Sequence, residues 1–149
     1  MKLLLKNGAE VNAKGGEYDN ALQAVVASYH GNTAIVELLL ENGAEVNAKG
    51  GKYGNALQAA SFRGYEVIVK LLLENGAEVN AKGGEYDNAL QAVVESFHGN
   101  AAIMHLLLMN GAQVNAKGGK YGNALQATLF RGNKAILQLL LEYGAEVNA

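Results

Sequence analysis

The longest apolar blocks of the chain predict buried helices. Residues 67–75 read Val-Ile-Val-Lys-Leu-Leu-Leu-Glu-Asn, and polar side chains interrupt the helical part only at Lys70 and Glu74. A helix that is apolar nearly all round must be covered on most sides. The corresponding blocks have the same i, i+4 pair, which we expect to face solvent throughout: Glu37 with Glu41, His105 with Met109, and Gln138 with Glu142. Asn75-Gly76 follows the block directly and predicts a helix C-cap.

A shorter apolar block precedes each long one and predicts a first helix. Asn55 is a good N-cap for such a helix, and Gly64 is a good C-terminal residue because it adopts a left-handed conformation without steric cost. A hairpin-like turn is expected at Gly83-Gly84. In the first block, one helical face is predicted from apolar residues at i, i+3, i+4 and i+7: Leu22, Val25, Val26 and Tyr29.

This loop, helix, turn, helix pattern repeats along the chain. The string Asn-Gly-Ala-Glu-Val-Asn-Ala-Lys-Gly-Gly begins at Asn7, Asn42 and Asn75, and it returns with Gln113 at Asn110. Residues 7–74 can be laid over residues 75–142 with 14 differences. In each double unit the first member has two extra residues, which we expect to lengthen its first helix by about 3 Å.

A helix pair of this kind cannot bury its apolar faces alone, so neighbouring pairs must stack and share a core. We therefore predict an all-α solenoid in which residues 1–149 form a single array. Its full units are 7–41 (unit 1), 42–74 (unit 2), 75–109 (unit 3) and 110–142 (unit 4), with partial units at 1–6 and 143–149.

These repeats resemble the ankyrin-repeat family over essentially the whole chain. The family's Thr-Pro-Leu-His appears as Asn-Ala-Leu-Gln from positions 20, 55, 88 and 123, and its Leu-Leu-Leu-x-x-Gly-Ala-Asp-Val-Asn-Ala appears at 71–81 with Glu for Asp. The Gly-Gly-x-Tyr-Gly-Asn-Ala-Leu-Gln-Ala wording is similar to the arrays of fungal immune-type receptors. Proline is absent, and Gly50 and Gly83 replace the hairpin's usual Asp. The resemblance implies a right-handed ankyrin-repeat α-solenoid with β-hairpin-like loops.

Composition argues against several classes of function. Twelve Lys and Arg stand against 14 Asp and Glu, so there is no basic stripe and no nucleic-acid partner is expected. No apolar run reaches the roughly 18 residues of a membrane span, so no membrane partner is expected either. The absence of cysteine excludes disulfides, thiolate metal sites and a cysteine nucleophile. A cytoplasmic location is expected by default.

Neither the histidines nor the glycine-rich loops predict catalysis. His30 and His98 occupy equivalent positions two units apart, hence roughly 20 Å apart, and cannot share a metal or a proton. The repeated Lys-Gly-Gly lacks the spacing and the Lys-Ser/Thr ending of a phosphate-binding loop. We expect no enzymatic activity, no cofactor and no metal.

Two series of loop residues leave two interpretations open. One tyrosine per unit serves either packing or partner contact: Tyr18, Tyr53, Tyr86 and Tyr121. Residues of alternating charge either pair between neighbouring loops or form a contact surface: Glu17, Lys52, Glu85 and Lys120.

The resemblance implies a protein-interaction scaffold that recognises its partner on a concave side made of hairpin loops and first helices. The alternative is a self-assembling segment that forms homo-oligomers through uncapped terminal repeats, since uncovered solenoid ends are apolar. For a protein partner, the candidate binding residues are Lys14, Glu17, Asp19, His30, Lys49, Lys52, Arg63, Lys82, Glu85, Asp87, His98, Lys120 and Arg131.

Overall fold

A computed structural model describes residues 10–96 and 100–147. In this part of the chain eight helices follow one another as four pairs, and the only β-structure is a set of isolated bridges in the loops. The all-α prediction is confirmed. The first helices are α1 (Ala21–Ala27), α3 (Ala56–Arg63), α5 (Ala89–Glu95) and α7 (Ala124–Arg131), and the second helices are α2 (Thr33–Glu41), α4 (Glu66–Glu74), α6 (Ala101–Met109) and α8 (Lys134–Glu142).

Every first helix begins at an asparagine cap, as predicted for Asn55. In each case the side-chain oxygen accepts a hydrogen bond from the backbone N–H three residues later, which satisfies one of the free donors of the first turn. The four caps are Asn20, Asn55, Asn88 and Asn123. Helix α3 ends at Gly64, whose φ of 79° is left-handed, as expected of a glycine cap.

The extra residues of units 1 and 3 do not lengthen their first helices, so that prediction was wrong. Helices α1 and α5 have seven residues, whereas α3 and α7 have eight. Helix α1 stops early because Ser28 turns into an extended conformation and its hydroxyl donates to the Val25 carbonyl. Tyr29 consequently lies in the following turn and is 84% exposed, not on the buried helical face.

The second helices end as the Asn-Gly signal predicts. After α4, Gly76 has a φ of 88°, and the N–H of Ala77 bonds to the carbonyl of Leu72 at 3.0 Å. This pattern satisfies carbonyls that the helix end would otherwise leave free. The predicted solvent stripe is also confirmed: Glu37, Glu41, Lys70, Glu74, His105, Met109, Gln138 and Glu142 are all exposed.

One apolar core runs through the stack. Each second helix contributes a leucine that is at most 1% exposed, and together these are Leu39, Leu72, Leu107 and Leu140. Burying a leucine side chain contributes about 1.5–3 kcal/mol. First helices pack on neighbouring first helices and second helices on second helices, so each unit covers the next.

An asparagine ladder joins successive units outside the core. Asn47 donates to the carbonyl of Gly76 at 2.9 Å and accepts from the N–H of Glu78 at 2.7 Å. Asn12, Asn80 and Asn115 form the same two bonds with their following units. The repeated Val-Asn-Ala therefore clamps the register of the stack.

Backbone hydrogen bonds, not ion pairs, join the hairpin loops. The N–H of Lys52 donates to the carbonyl of Glu17, and the N–H of Glu85 donates to that of Lys52, both at 3.0 Å. Among the described residues, the series of alternating charges forms no ion pair within 4 Å. Single antiparallel bridges give the loops their hairpin-like form: Gly50 with Gly54, Gly83 with Asp87, and Lys117 with Asn123.

None of the helices in residues 10–96 and 100–147 has the length and apolarity needed to cross a membrane.

Candidate functional site

The predicted binding residues lie on the hairpin loops, at the ends of first helices, and in the turn after α1. Most are exposed, whereas Asp19, Arg63 and Asp87 are half-buried. His98 lies outside the described residues. The exposed members are Lys14, Glu17, His30, Lys49, Lys52, Lys82, Glu85, Lys120 and Arg131.

The tyrosines of the loops stack on one another between units. Ring centroids are 6.4 Å apart for Tyr18 and Tyr53 and 6.3 Å apart for Tyr53 and Tyr86. Phe62 joins the stack and lies 4.7 Å from Tyr86. Tyr53 is only 2% exposed, so at this position the packing interpretation holds.

A cavity of about 390 Å³ lies between units 3 and 4, beside the exposed end of this stack. The structure brings three predicted residues together in it, Glu85, Lys120 and Arg131. Four further lining residues were not among the predicted binding residues: Phe62, Tyr86, Gln91 and Glu95. One sequence signal could have identified Glu95, because it is a charge at a position where the first double unit has Ala27.

Glu95 holds Arg131 at the wall of the cavity. The Arg131 Nη2 donates to Glu95 Oε2 at 2.6 Å, and this hydrogen bond raises the pKa of the guanidinium further above its usual range. The Glu95 side chain is 13% exposed and that of Arg131 is 43% exposed. The other carboxylate oxygen, Glu95 Oε1, is buried without a hydrogen-bond partner.

Gln91 supplies a second unpaired polar group. In units 1 and 2 the equivalent Gln23 and Gln58 donate through Nε2 to the carbonyls of Ala48 and Asp87, both at 3.4 Å. The Nε2 of Gln91 is buried without a partner, although the residue is only 2% exposed. In unit 3, a residue that lines the cavity therefore has an unused donor, whereas the earlier units use the same donor between repeats.

Tyr86 keeps its phenol neutral throughout the physiological pH range. Burial is the largest cause, and the negative charge of Glu85 adds to it, so the pKa of Tyr86 is raised to about 12. The hydroxyl therefore stays a hydrogen-bond donor at the rim of the cavity.

The equivalent groove between units 1 and 2 has a different chemistry. Arg63 has no carboxylate opposite it, because Ala27 stands where Glu95 stands, and its guanidinium lies over the ring of Tyr29 at 4.8 Å. The Tyr65 hydroxyl donates to the Ser28 carbonyl and ties down the intervening turn. The ion pair is therefore found in the groove between units 3 and 4 and has no equivalent in the groove between units 1 and 2.

In the part of the chain that the structure describes, no three His, Cys, Asp or Glu side chains come together to hold a metal ion.

Comparison with known proteins agrees with this architecture. A family model described as "Ankyrin repeats (3 copies)" matches residues 1–83, more than half of the chain. No curated protein matches the chain significantly. Ankyrin repeats are generally protein–protein interaction modules and are typically non-enzymatic. With the family match, the register of the repeats and the stacked helix pairs all in agreement, this chain belongs to the ankyrin-repeat family.

Proposed function

We propose that the chain is a cytoplasmic, non-enzymatic scaffold that binds a protein partner through its hairpin loops and first helices, the concave side of a single array over residues 1–149. The cavity between units 3 and 4 carries the proposal, because loop and first-helix residues line it together. It combines an aromatic wall with charges of both signs and unpaired polar atoms. Protein interfaces favour such aromatic and arginine anchors.

The alternating loop charges support the same surface. Glu17, Lys52, Glu85 and Lys120 are exposed, and none of them forms an ion pair with a described residue. Exposed charges of this kind contribute more to steering and selectivity than to affinity. The partner-binding set proposed from the sequence, which includes Asp19, His98 and Asp87, remains the proposed contact surface. Glu85, Lys120 and Arg131 of that set line its more enclosed part.

The test is affinity capture of a partner from an extract of the source cell with matched variants. The concave variant combines Glu85→Lys with Lys120→Glu, which keeps the net charge and reverses the sign at two neighbouring loops. The control combines Lys70→Glu with Glu74→Lys on the exposed stripe of α4. We expect the wild type and the control to retain the same partner and the concave variant to lose it.

Equal capture by both variants would contradict the proposal, because binding would then not depend on the concave side. Circular dichroism of both variants must match the wild type, so that misfolding is not read as lost binding.

We also propose self-association through terminal repeats as a second candidate function. On unit 4 and just after it, large apolar side chains are exposed: Leu129, Phe130, Leu141, Tyr143 and Val147. Exposed apolar side chains of this kind are candidate contacts for association. Light scattering across a concentration series tests this, since a rising mass supports association and a monomeric mass at high micromolar concentration refutes it.

A further inference from the structure

The cavity between units 3 and 4 lies where the stack of aromatic side chains ends. Phe62 packs on Tyr86 with 14° between the ring planes, and both rings line the cavity. On the side of unit 4 the lining residues are Lys120 and Arg131, which flank the stacked pair Tyr121 and Phe130 in sequence. The cavity therefore has an aromatic wall and enough room for one further ring.

Two buried polar atoms of α5 define what such a ring must carry. Gln91 Nε2 is a donor without an acceptor, and Glu95 Oε1 is an acceptor without a donor. The two residues are four positions apart and so lie on one helical face, with about 5–6 Å between their Cβ atoms. A single hydroxyl between them can accept from Gln91 and donate to Glu95.

The charges around the cavity favour a neutral occupant. Glu85 and Glu95 balance Lys120 and Arg131. An anion would meet two carboxylates, and a cation would meet an ammonium and a guanidinium. A neutral group that can both accept and donate a hydrogen bond avoids this repulsion and pairs with both Gln91 Nε2 and Glu95 Oε1.

We propose that this cavity is a pocket for a tyrosine side chain of the protein partner. The phenol oxygen accepts from Gln91 Nε2, its hydrogen goes to Glu95 Oε1, and the ring packs against Tyr86 and Phe62. The pocket rests on the proposed function, since it is the anchor of that same concave surface. Phenylalanine would leave both polar atoms unpaired, and phosphotyrosine would bring charge against Glu85 and Glu95.

The first double unit provides an internal control for the pocket. Its groove has the equivalent Arg63 but has Ala27 in place of the carboxylate. The Nε2 of its Gln23 is already bonded to Ala48. It therefore lacks the unpaired amide donor and the carboxylate acceptor. Its own unpaired buried atoms are Gln23 Oε1 and Arg63 Nε, an arrangement without a carboxylate. We therefore expect tyrosine to bind in the groove between units 3 and 4 in preference to this one.

The probe is N-acetyl-L-tyrosine amide, titrated into the full chain and followed by ¹H–¹⁵N NMR. The tyrosine probe should shift the resonances of the Gln91 side-chain amide and of the backbone amide of Gly119, a loop glycine that lies against the Gln91 amide. N-acetyl-L-phenylalanine amide should bind about tenfold more weakly, because two hydrogen bonds are lost. N-acetyl-L-glutamine amide, which can form both bonds but cannot fill the aromatic wall, should also bind more weakly than the tyrosine probe.

Glu95→Ala removes one of the two hydrogen bonds and should weaken the binding of the tyrosine probe about threefold, whereas Glu37→Ala on the solvent stripe should leave it unchanged. Equal binding of tyrosine and phenylalanine probes, tighter binding of the glutamine probe, or an unaffected Glu95→Ala variant would each overturn the tyrosine pocket.

If partner capture still depends on Glu85 and Lys120 while the tyrosine probe fails, only the pocket is refuted. If the probe binds as expected but capture is indifferent to those charges, the pocket stands and the wider concave interface is refuted.

Discussion

Units 1–2 and units 3–4 have nearly the same sequence and the same order of helices, yet the grooves beside their first helices differ. The two double units differ at 14 positions, which include none of the capping asparagines of the first helices and none of the hairpin-loop residues from Lys14 to Tyr18. Their arginines, however, have different partners. Arg63 lies over an exposed tyrosine, and Arg131 is held by Glu95 beside a cavity.

The comparison separates the residues that set the backbone from those that set the chemistry. Caps, asparagine clamps and second-helix leucines recur in both double units and maintain the stack. The change from Ala27 to Glu95 alters one groove without altering the helix that carries it, since α1 and α5 have equal lengths. A single substitution on a first helix can therefore change the chemistry of one groove while the scaffold stays the same.

The largest effect should come from the shared core, and it should be alike in both double units. Leu39→Ala and Leu107→Ala remove equivalent buried side chains and should each lower the free energy of unfolding by about 2–5 kcal/mol. Urea unfolding measures this, with the exposed Lys70→Ala as the control. A large loss at Lys70 with none at the leucines would contradict the assignment of inner and outer faces.

A loop glycine should distinguish the double units. Gly51 and Gly119 are equivalent, with φ of 68° and 69°, so alanine meets the same left-handed strain of about 1–2 kcal/mol at each. At Gly51 an added Cβ would also lie 2.8 Å from the Tyr18 carbonyl carbon, whereas at Gly119 it would overlap the movable amide of Gln91. Thermal unfolding should show Gly51→Ala to be the more destabilising change. The reverse order would mean that Gly51 does not lie close to the Tyr18 backbone.

The asparagine ladder should again be equivalent in the two double units. Asn12→Ala and Asn80→Ala each remove two hydrogen bonds to the following unit, which contribute about 0.5–1.5 kcal/mol apiece. Hydrogen exchange should report faster exchange at the released N–H groups, Glu45 and Gln113. Unchanged exchange at either amide would show that its bond is not formed.

The smallest stability effect is expected at the position where the grooves differ. Glu95→Ala should change stability by less than about 1 kcal/mol, because the Arg131 side chain is 43% exposed and can be hydrated when its partner is removed. It should lower the pKa of Tyr86 from about 12, since the charge of Glu95 is one of the causes that raise it. Because that folded-state pKa lies above the ordinary value, the stability it provides is complete below pH 10 and decreases as pH rises towards 12. Ultraviolet titration of the phenols measures the pKa of Tyr86, and urea unfolding as a function of pH measures the stability. An unchanged Tyr86 titration in the variant would contradict this electrostatic coupling.

Local chemistry made most of the fold predictable. The N-cap at Asn55, the C-caps at Gly64 and Asn75-Gly76, and the solvent stripe through Lys70 follow from interactions within one helix. The turn after α1 was not predictable in this way, because a serine side chain competes with the helix for the Val25 carbonyl.

The site was less predictable than the fold. Alternation of sign indicated Glu85 and Lys120, two loop residues that line the cavity. The sequence alone, however, does not place Glu95 opposite Arg131, which is 36 residues away and in the next unit. Nor does it distinguish Gln91 from Gln23, because the difference arises from how the next unit packs.

The dissociation constant of the captured partner for two matched variants, Arg131→Ala and Arg63→Ala, tests most directly whether the groove between units 3 and 4 anchors the partner. The two arginines occupy equivalent positions at the C-terminal ends of α7 and α3, so the two substitutions remove the same side chain from the same place in a repeat. We expect Arg131→Ala to weaken binding at least about tenfold and Arg63→Ala to change it less than about threefold, as for an anchor residue compared with a peripheral one. Equal losses in the two variants, or a larger loss for Arg63→Ala, would contradict the claim that the groove between units 3 and 4 anchors the partner.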